Sequence, residues 1–140
     1  MKEALREAQK AMEIGEVPVG AVVVCQNRVI ARCYNNTEQL KDVTAHAEIL
    51  AITAASSFLG SKYLKNCTLF VTLEPCMMCA GALRWSQLDK IVYGADDEKH
   101  GFMRYGKEVL HPKTTVEFGV LHEECSSILT KFFTAKRALK

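Results

Sequence analysis

The sequence lacks any long uncharged apolar run. Hydrophobic residues make up 49% of its 140 residues, yet the longest stretch without a charged side chain is shorter than the roughly 18 residues that a membrane-spanning helix needs. Residues 1–7 mix acidic and basic side chains and contain no apolar signal core. We therefore expect no membrane contact and a cytoplasmic location.

The sequence also has few prolines and a small net charge. The chain has 3 prolines, 24% charged residues and a net charge of +2, which excludes collagen-like and disordered chains and a strongly basic nucleic-acid binder. Residues 1–98 carry 10 basic and 12 acidic side chains, whereas residues 99–140 carry 8 basic and 4 acidic ones. This uneven distribution of charge either serves solubility alone or indicates a C-terminal surface that binds phosphate groups. The length predicts one domain over residues 1–140.

Hydrophobic periodicity predicts helices that alternate with strands. Helices are predicted at 2–14, 45–57, 75–85 and 121–140, and strands at 17–25, 28–34, 68–73, 90–94 and 115–118. Gln26 and Asn27 predict a hairpin turn, and Thr44 is a candidate helix cap. Residues 35–43 and 96–113 are predicted to be polar loops, the second long enough to be functional. The pattern predicts an α/β fold with a sheet covered by helices on both faces.

Cysteine is abundant for a cytoplasmic chain, in which disulfides are rare. Cys76 and Cys79 lie at a predicted helix start, so both sulfurs project from one face and the helix dipole favours thiolates. They are candidate metal ligands, and a histidine elsewhere could leave the fourth tetrahedral position open for water. The other four cysteines are predicted to be small buried hydrophobes: Cys25, Cys33, Cys67 and Cys125.

His46 and Glu48 begin another predicted helix, from whose first turn both side chains could reach one cleft. A glutamate beside the open position of a metal could take a proton from water and deliver it to substrate. These residues alone also allow a redox CxxC pair, a closed structural zinc site with Cys67 or Cys125 as fourth ligand, or a packed histidine.

The joint pattern, H-x-E followed by P-C-x-x-C, is the signature of zinc-dependent nucleobase deaminases. The likeness extends over nearly the whole chain. It includes EVPVGAV at 16–22, TAHAEI at 44–49, VTLEPCMMCAGA at 71–82, VYGA at 92–95 and the terminal Phe132-Phe133. The chain therefore resembles the bacterial tRNA adenosine deaminases of the cytidine deaminase superfamily.

The resemblance implies particular site residues. It implies one Zn²⁺ per chain with the ligands His46, Cys76 and Cys79. It implies that Glu48 is the catalytic proton shuttle. The implied substrate contacts are Asn35, Val19, Ala45, Asp97 and Lys99.

The resemblance also implies a three-layer α/β/α fold, a homodimer, and hydrolytic conversion of adenosine to inosine at the wobble position of a tRNA anticodon stem-loop. A deaminase of free guanine, cytosine or a nucleoside is the alternative, and a non-catalytic zinc-binding module is a further one. The sequence departs from the family pattern at Val43, at Asp96 and after Gly101. Met77 and Met78 are predicted to serve packing rather than function, whereas the roles of five residues stay open: Trp85, Phe102, Met103, Arg104 and Tyr105.

Overall fold

The computed structural model describes residues 1–139. The helices are α1 (Lys2–Glu13), α2 (Thr37–Leu40), α3 (Ala47–Leu59), α4 (Met77–Ser86) and α5 (His122–Ala138). The strands are β1 (Gly20–Cys25), β2 (Arg28–Tyr34), β3 (Cys67–Leu73), β4 (Lys90–Ala95) and β5 (Thr115–Phe118). Two 3₁₀ helices, Phe102–Tyr105 and Lys107–Val109, lie between β4 and β5. Lys140, the end of the predicted last helix and of the predicted domain, lies outside the described residues.

The five strands form one mixed sheet in the order β2-β1-β3-β4-β5. Strand β1 is antiparallel to both β2 and β3, while β3, β4 and β5 are mutually parallel. The start of β1 and the carboxyl ends of β2, β3 and β4 consequently lie at one end of the sheet. Clefts in open α/β sheets form outside the carboxyl ends of strands, so this end is where a site is expected.

Helices cover both faces of the sheet, which confirms the predicted three layers. On one face, helices α1 and α5 contact each other, and they pack on β1 and β4 respectively. On the other face, α3 and α4 contact each other, and α3 packs on β1 and β2. Alanines at helical spacing, Ala47, Ala51 and Ala55, are fully buried in α3, which lets this helix approach the sheet closely. Gly20 serves the same purpose on the opposite face, because a Cβ there would lie 1.9 Å from the carbonyl oxygen of Ala4.

The predicted hairpin is confirmed. Gln26 and Asn27 have φ values of 51° and 63°, the left-handed conformation that both central residues of a type I′ turn adopt. The antiparallel pairing of β1 with β2 runs from Gly20 opposite Tyr34 to Cys25 opposite Arg28.

Several boundaries differ from the prediction. Helix α2 lies inside the predicted loop 35–43, and the predicted loop 96–113 contains the two 3₁₀ helices. Phe102 is completely buried and joins the core. Helix α3 is preceded by an extended His46 rather than by a Thr44 cap, whose hydroxyl instead donates to Asp42.

Met77 and Met78, predicted to serve packing, do not pack in the core of this chain. Both are exposed on α4, and Trp85 on the same helix is 77% exposed. The inner face of α4 is supplied by smaller residues, including Cys79 and Ala80, so the longer side chains point outward. Cys67 and Cys125 are buried as predicted, whereas Cys25 and Cys33 are only partly buried. No helix within residues 1–139 is both long and apolar enough to cross a bilayer.

Candidate active site

Two helix N-termini meet at the end of the sheet defined above. His46 and Cys76 directly precede α3 and α4, and both have extended backbone angles that turn the chain into the helix. Cys79 is the third residue of α4 and is fully buried. The positive ends of the two helix dipoles therefore face one small volume, which favours anionic sulfur there.

The side chains of His46, Cys76 and Cys79 form a cluster with metal-ligand geometry. Their donor atoms all lie within 4.8 Å of one another. The Nδ1 atom of His46 is 3.7 Å from the Cys76 sulfur and 3.4 Å from the Cys79 sulfur. Zinc–sulfur and zinc–nitrogen bonds at a tetrahedral angle place N and S about 3.6 Å apart. The cluster therefore fits a metal ion, and its three donors leave one tetrahedral position for another ligand.

Hydrogen bonds within the cluster shift the pKa of each of its three side chains. Hydrogen bonding from Cys79 lowers the pKa of Cys76 to about 3, which favours the thiolate form of Cys76. The pKa of Cys79 is raised, because its thiol proton is shared with that thiolate and because it is buried. Hydrogen bonding to Cys76 also raises the pKa of His46. Zinc binds thiolates and neutral imidazoles, so metal binding here would displace the protons that Cys79 and His46 hold.

Glu48 lies in the first turn of α3 and is buried beside this cluster. Burial raises the pKa of its carboxyl group to about 7. A carboxyl group with a near-neutral pKa can both accept and donate a proton. The closed structural zinc site considered from the sequence is not formed, because within residues 1–139 neither Cys67 nor Cys125 joins the metal-binding group.

A cavity of about 420 Å³ opens over these residues, within the range of ligand pockets. Its wall contains His46, Glu48, Cys76, Val19, Asn35 and Asp97, together with Val17, Thr37, Ala47, Leu73, Glu74 and His100. The cavity thus brings together two of the three predicted ligands, the predicted proton shuttle and three of the five predicted substrate contacts. The third predicted ligand, Cys79, is buried behind the wall in the same cluster.

The other two predicted contacts lie elsewhere. Ala45 is buried but does not line the cavity. Ala47 lines the cavity instead, because the chain turns into α3 between these two alanines. Lys99 lies in an adjoining groove of about 730 Å³. Asp97 and His100 line both the cavity and the groove, whose far side is formed by α5 residues such as Phe133 and Arg137.

Two buried carboxylates that the sequence left without a role brace the cavity wall. The Glu16 carboxylate accepts hydrogen bonds from the backbone N–H groups of Glu38 and Gln39, at 3.2 and 2.8 Å, and so holds α2 beside Asn35. The Glu74 carboxylate accepts hydrogen bonds from backbone N–H groups that follow β4. Their sequence signal is an acidic residue placed directly against apolar or proline residues, as in Glu16-Val17-Pro18 and Leu73-Glu74-Pro75.

Comparison with known proteins relates this site to deaminases. The family model described as MafB19-like deaminase matches residues 1–137. The chain is similar to the tRNA-specific adenosine deaminase of Aquifex aeolicus (strain VF5), with 46% identity over 98% of this chain and 93% of the relative.

Solved structures of deaminases are also similar to this chain. One, from a study of A-to-I editing by tRNA:A34 deaminases at the wobble position of transfer RNA, has a TM-score of 0.87 and 43% identity, covering 92% of this chain and 97% of that one. Guanine deaminase from Bacillus subtilis has a TM-score of 0.65 and 38% identity, covering 68% of this chain and 61% of that one.

Proposed function

The chain belongs to the MafB19-like deaminase family and is a relative of tRNA-specific adenosine deaminases, and we propose on this basis that it converts adenosine to inosine at the wobble position of a tRNA anticodon. The observation that carries the proposal is the cluster of His46, Cys76 and Cys79 at the wall of a cavity that Glu48 also lines. A redox CxxC pair does not need the histidine or the glutamate, and a structural metal site does not need a buried carboxylate beside it.

His46, Cys76 and Cys79 are proposed to hold one Zn²⁺ per chain. The geometry of the three donors, with N···S separations of 3.4 and 3.7 Å, fits this ion. When bound, zinc lowers the pKa of a water molecule and supplies the nucleophile for hydrolysis. Two of the three donor residues, His46 and Cys76, line the cavity, which a base can enter.

Glu48 is proposed to be the proton shuttle. In hydrolytic deamination, oxygen from water replaces the exocyclic amino group at C6 of adenine, and the amino group leaves as ammonia. Glu48 accepts a proton from water and delivers it to the base, so that nitrogen departs as a neutral molecule. Its burial in the cavity keeps bulk water from competing for that proton.

Asn35, Val19 and Asp97 are proposed to contact the flipped nucleotide. Val19 offers an apolar surface and Asn35 a side-chain amide in the same wall, a combination that suits a purine with its ribose. Lys99 is proposed to contact the substrate strand from the adjoining groove. We also propose that the protein works in the cytoplasm, where tRNA is available.

We propose that the chain forms a homodimer through the exposed apolar surface of α4 and of the first 3₁₀ helix, Phe102–Tyr105. This surface contains Met77, Met78, Trp85, Met103 and Tyr105, all of them exposed. Arg84 on α4 donates to the carbonyl oxygens of Glu108 and Leu110, at 2.9 and 2.7 Å, and so joins α4 to the second 3₁₀ helix, which contacts the first. Apolar patches of this kind mark interaction sites more often than free surface.

The proposal is tested by incubating the purified protein with an anticodon stem-loop that has adenosine at the wobble position and measuring inosine by mass spectrometry. The matched control is the same stem-loop with that adenosine moved into the paired stem. Free adenosine, guanine and cytosine test the small-molecule alternative. Inosine in the first RNA alone supports the proposal, whereas turnover of a free base or nucleoside without turnover of RNA contradicts it.

A further inference from the structure

The side chain of Glu74 connects the segment that follows β4 to the first 3₁₀ helix. One carboxylate oxygen accepts the backbone N–H of Asp97 at 3.0 Å, and the other accepts the backbone N–H of Met103, also at 3.0 Å. We call residues 97–103 the clamped loop. Glu74 is 6% exposed, so water does not replace these bonds readily.

The clamped loop is built around this carboxylate. A Cβ at Gly101 would lie 2.1 Å from a carboxylate oxygen of Glu74 and 2.5 Å from the carbonyl oxygen of Asp97. Only glycine therefore lets the loop close on the carboxylate. The main chain adds a bond from the Phe102 N–H to the carbonyl oxygen of Pro75, at 2.9 Å. The loop is thus joined to the segment that carries the metal-ligand candidate Cys76.

The clamped loop also carries two of the four residues that line both the cavity and the groove. Asp97 and His100 line both spaces, and Lys99 lines the groove. One carboxylate oxygen of Asp97 accepts the backbone N–H groups of Lys99 and His100, at 3.2 and 3.0 Å. The position of Asp97 therefore determines the course of the next three residues, and Glu74 holds the Asp97 backbone.

We propose that Glu74 is a positioning residue that fixes the clamped loop against the metal-ligand segment and thereby sets the affinity for the RNA strand. This inference rests on the proposed function. Glu74 acts on substrate through the loop and leaves the chemical step to Glu48.

A carboxylate is required because both of its oxygens accept. In Glu74→Gln, one oxygen becomes an NH₂ group that faces a backbone N–H, so one of the two bonds is lost. The substitution keeps the volume of the side chain, so packing around β3 is preserved. Glu7→Gln is the matched control, because Glu7 is also a buried carboxylate but lies on α1, away from the cavity.

The experiment measures kcat and KM for the wobble-adenosine stem-loop, with zinc content and melting temperature, in the wild type and both variants. We expect Glu74→Gln to raise KM about tenfold, as for one lost charge-assisted hydrogen bond, with kcat and zinc content near wild type. Glu7→Gln should leave KM unchanged. In the double variant with Asp97→Ala, the KM effects should be less than additive, because both substitutions act on the same loop.

The outcomes separate this inference from the proposed function. An active wild type whose KM is unaltered by Glu74→Gln overturns the inference alone. So does a parallel fall in kcat and zinc content at constant KM, which would mean that Glu74 only supports the fold. A zinc-loaded wild type that forms no inosine overturns the proposed function, and the inference with it.

Discussion

The Nδ1 atom of His46 lies 3.4 Å from the sulfur of Cys79, although His46 directly precedes α3 and Cys79 lies in α4. The contact exists because α3 and α4 begin at the same end of the sheet and pack side by side. A metal ion bound by both residues would therefore link the two helix starts, and metal loss should affect stability as well as activity.

The first prediction concerns the metal ligands. Cys79→Ala should abolish both bound zinc and deamination, because two donors no longer complete the ligand set. Cys33→Ala is the control, since Cys33 lies on β2, outside the cluster. Elemental analysis of both purified variants measures the outcome. A full equivalent of zinc in Cys79→Ala would falsify the ligand assignment.

The second prediction separates chemistry from binding. Glu48→Ala should retain zinc and stem-loop affinity but lose activity by at least roughly 10²–10⁴-fold, the contribution of a general acid–base group. Single-turnover kinetics and a separate binding titration measure the two properties. If the variant turns over at close to the wild-type rate, another group carries the proton.

The third prediction concerns the choice between RNA and DNA. Asp97 lines the cavity, and a carboxylate there can accept a hydrogen bond from the 2′-hydroxyl that only RNA has. Asp97→Asn keeps the oxygen that accepts from Lys99 and His100 and removes the charge. We expect Asp97→Asn to lower the ratio of the rate on RNA to the rate on DNA. With DNA the wild-type carboxylate lacks its hydroxyl partner, at a cost of about 1–3 kcal/mol, and the substitution relieves this cost.

Rates on matched RNA and DNA hairpins, for the wild type and Asp97→Asn, decide this point. An unchanged RNA/DNA rate ratio would show that Asp97 acts only in the turn that it forms with Lys99 and His100.

The fourth prediction concerns phosphate contacts in the groove. Stem-loop affinity should fall steeply with salt, and Arg137→Ala should reduce the slope of log K against log salt by about 0.7–0.9, the value for one phosphate contact. Lys131→Ala is the control, because Lys131 is on the same helix but lines a different depression beside α1. Equal slopes for the wild type and Arg137→Ala would exclude Arg137 from the interface.

The fifth prediction concerns the dimer. Trp85→Arg should give a monomer in light scattering after size exclusion, because a charge in the centre of an apolar interface is left without a partner. Phe58→Arg places the same charge on an exposed aromatic position of α3 and should leave the dimer intact. A Trp85→Arg protein that stays dimeric would place the interface elsewhere.

Much of the fold follows from local sequence. Gln26 and Asn27 determine a tight turn, alternating apolar runs determine the strands, and alanine spacing determines the buried face of α3. Such features depend on neighbours within a few residues, so they can be predicted from the chain alone. The same holds for the chemistry of H-x-E and P-C-x-x-C, because residue type decides which atoms can bind a metal or carry a proton.

Other features depend on contacts between distant segments, which local sequence does not specify. Phe102 lies in a stretch that reads as a polar loop, yet it is buried because the clamped loop folds over the core. Ala45 and Ala47 are alike in sequence, and only the entry angle into α3 decides that Ala47 lines the cavity.

The sequence by itself determined the secondary structure in outline, the candidate ligands and the candidate proton shuttle, because these depend on residue type and short spacing. The tertiary structure alone decided that Glu74 accepts hydrogen bonds from the backbone N–H groups of Asp97 and Met103. It also decided that Met77 and Met78 are exposed. The physical reason is that a carboxylate or an apolar side chain has the same properties wherever it lies. Its partners are chosen when the strands and helices pack.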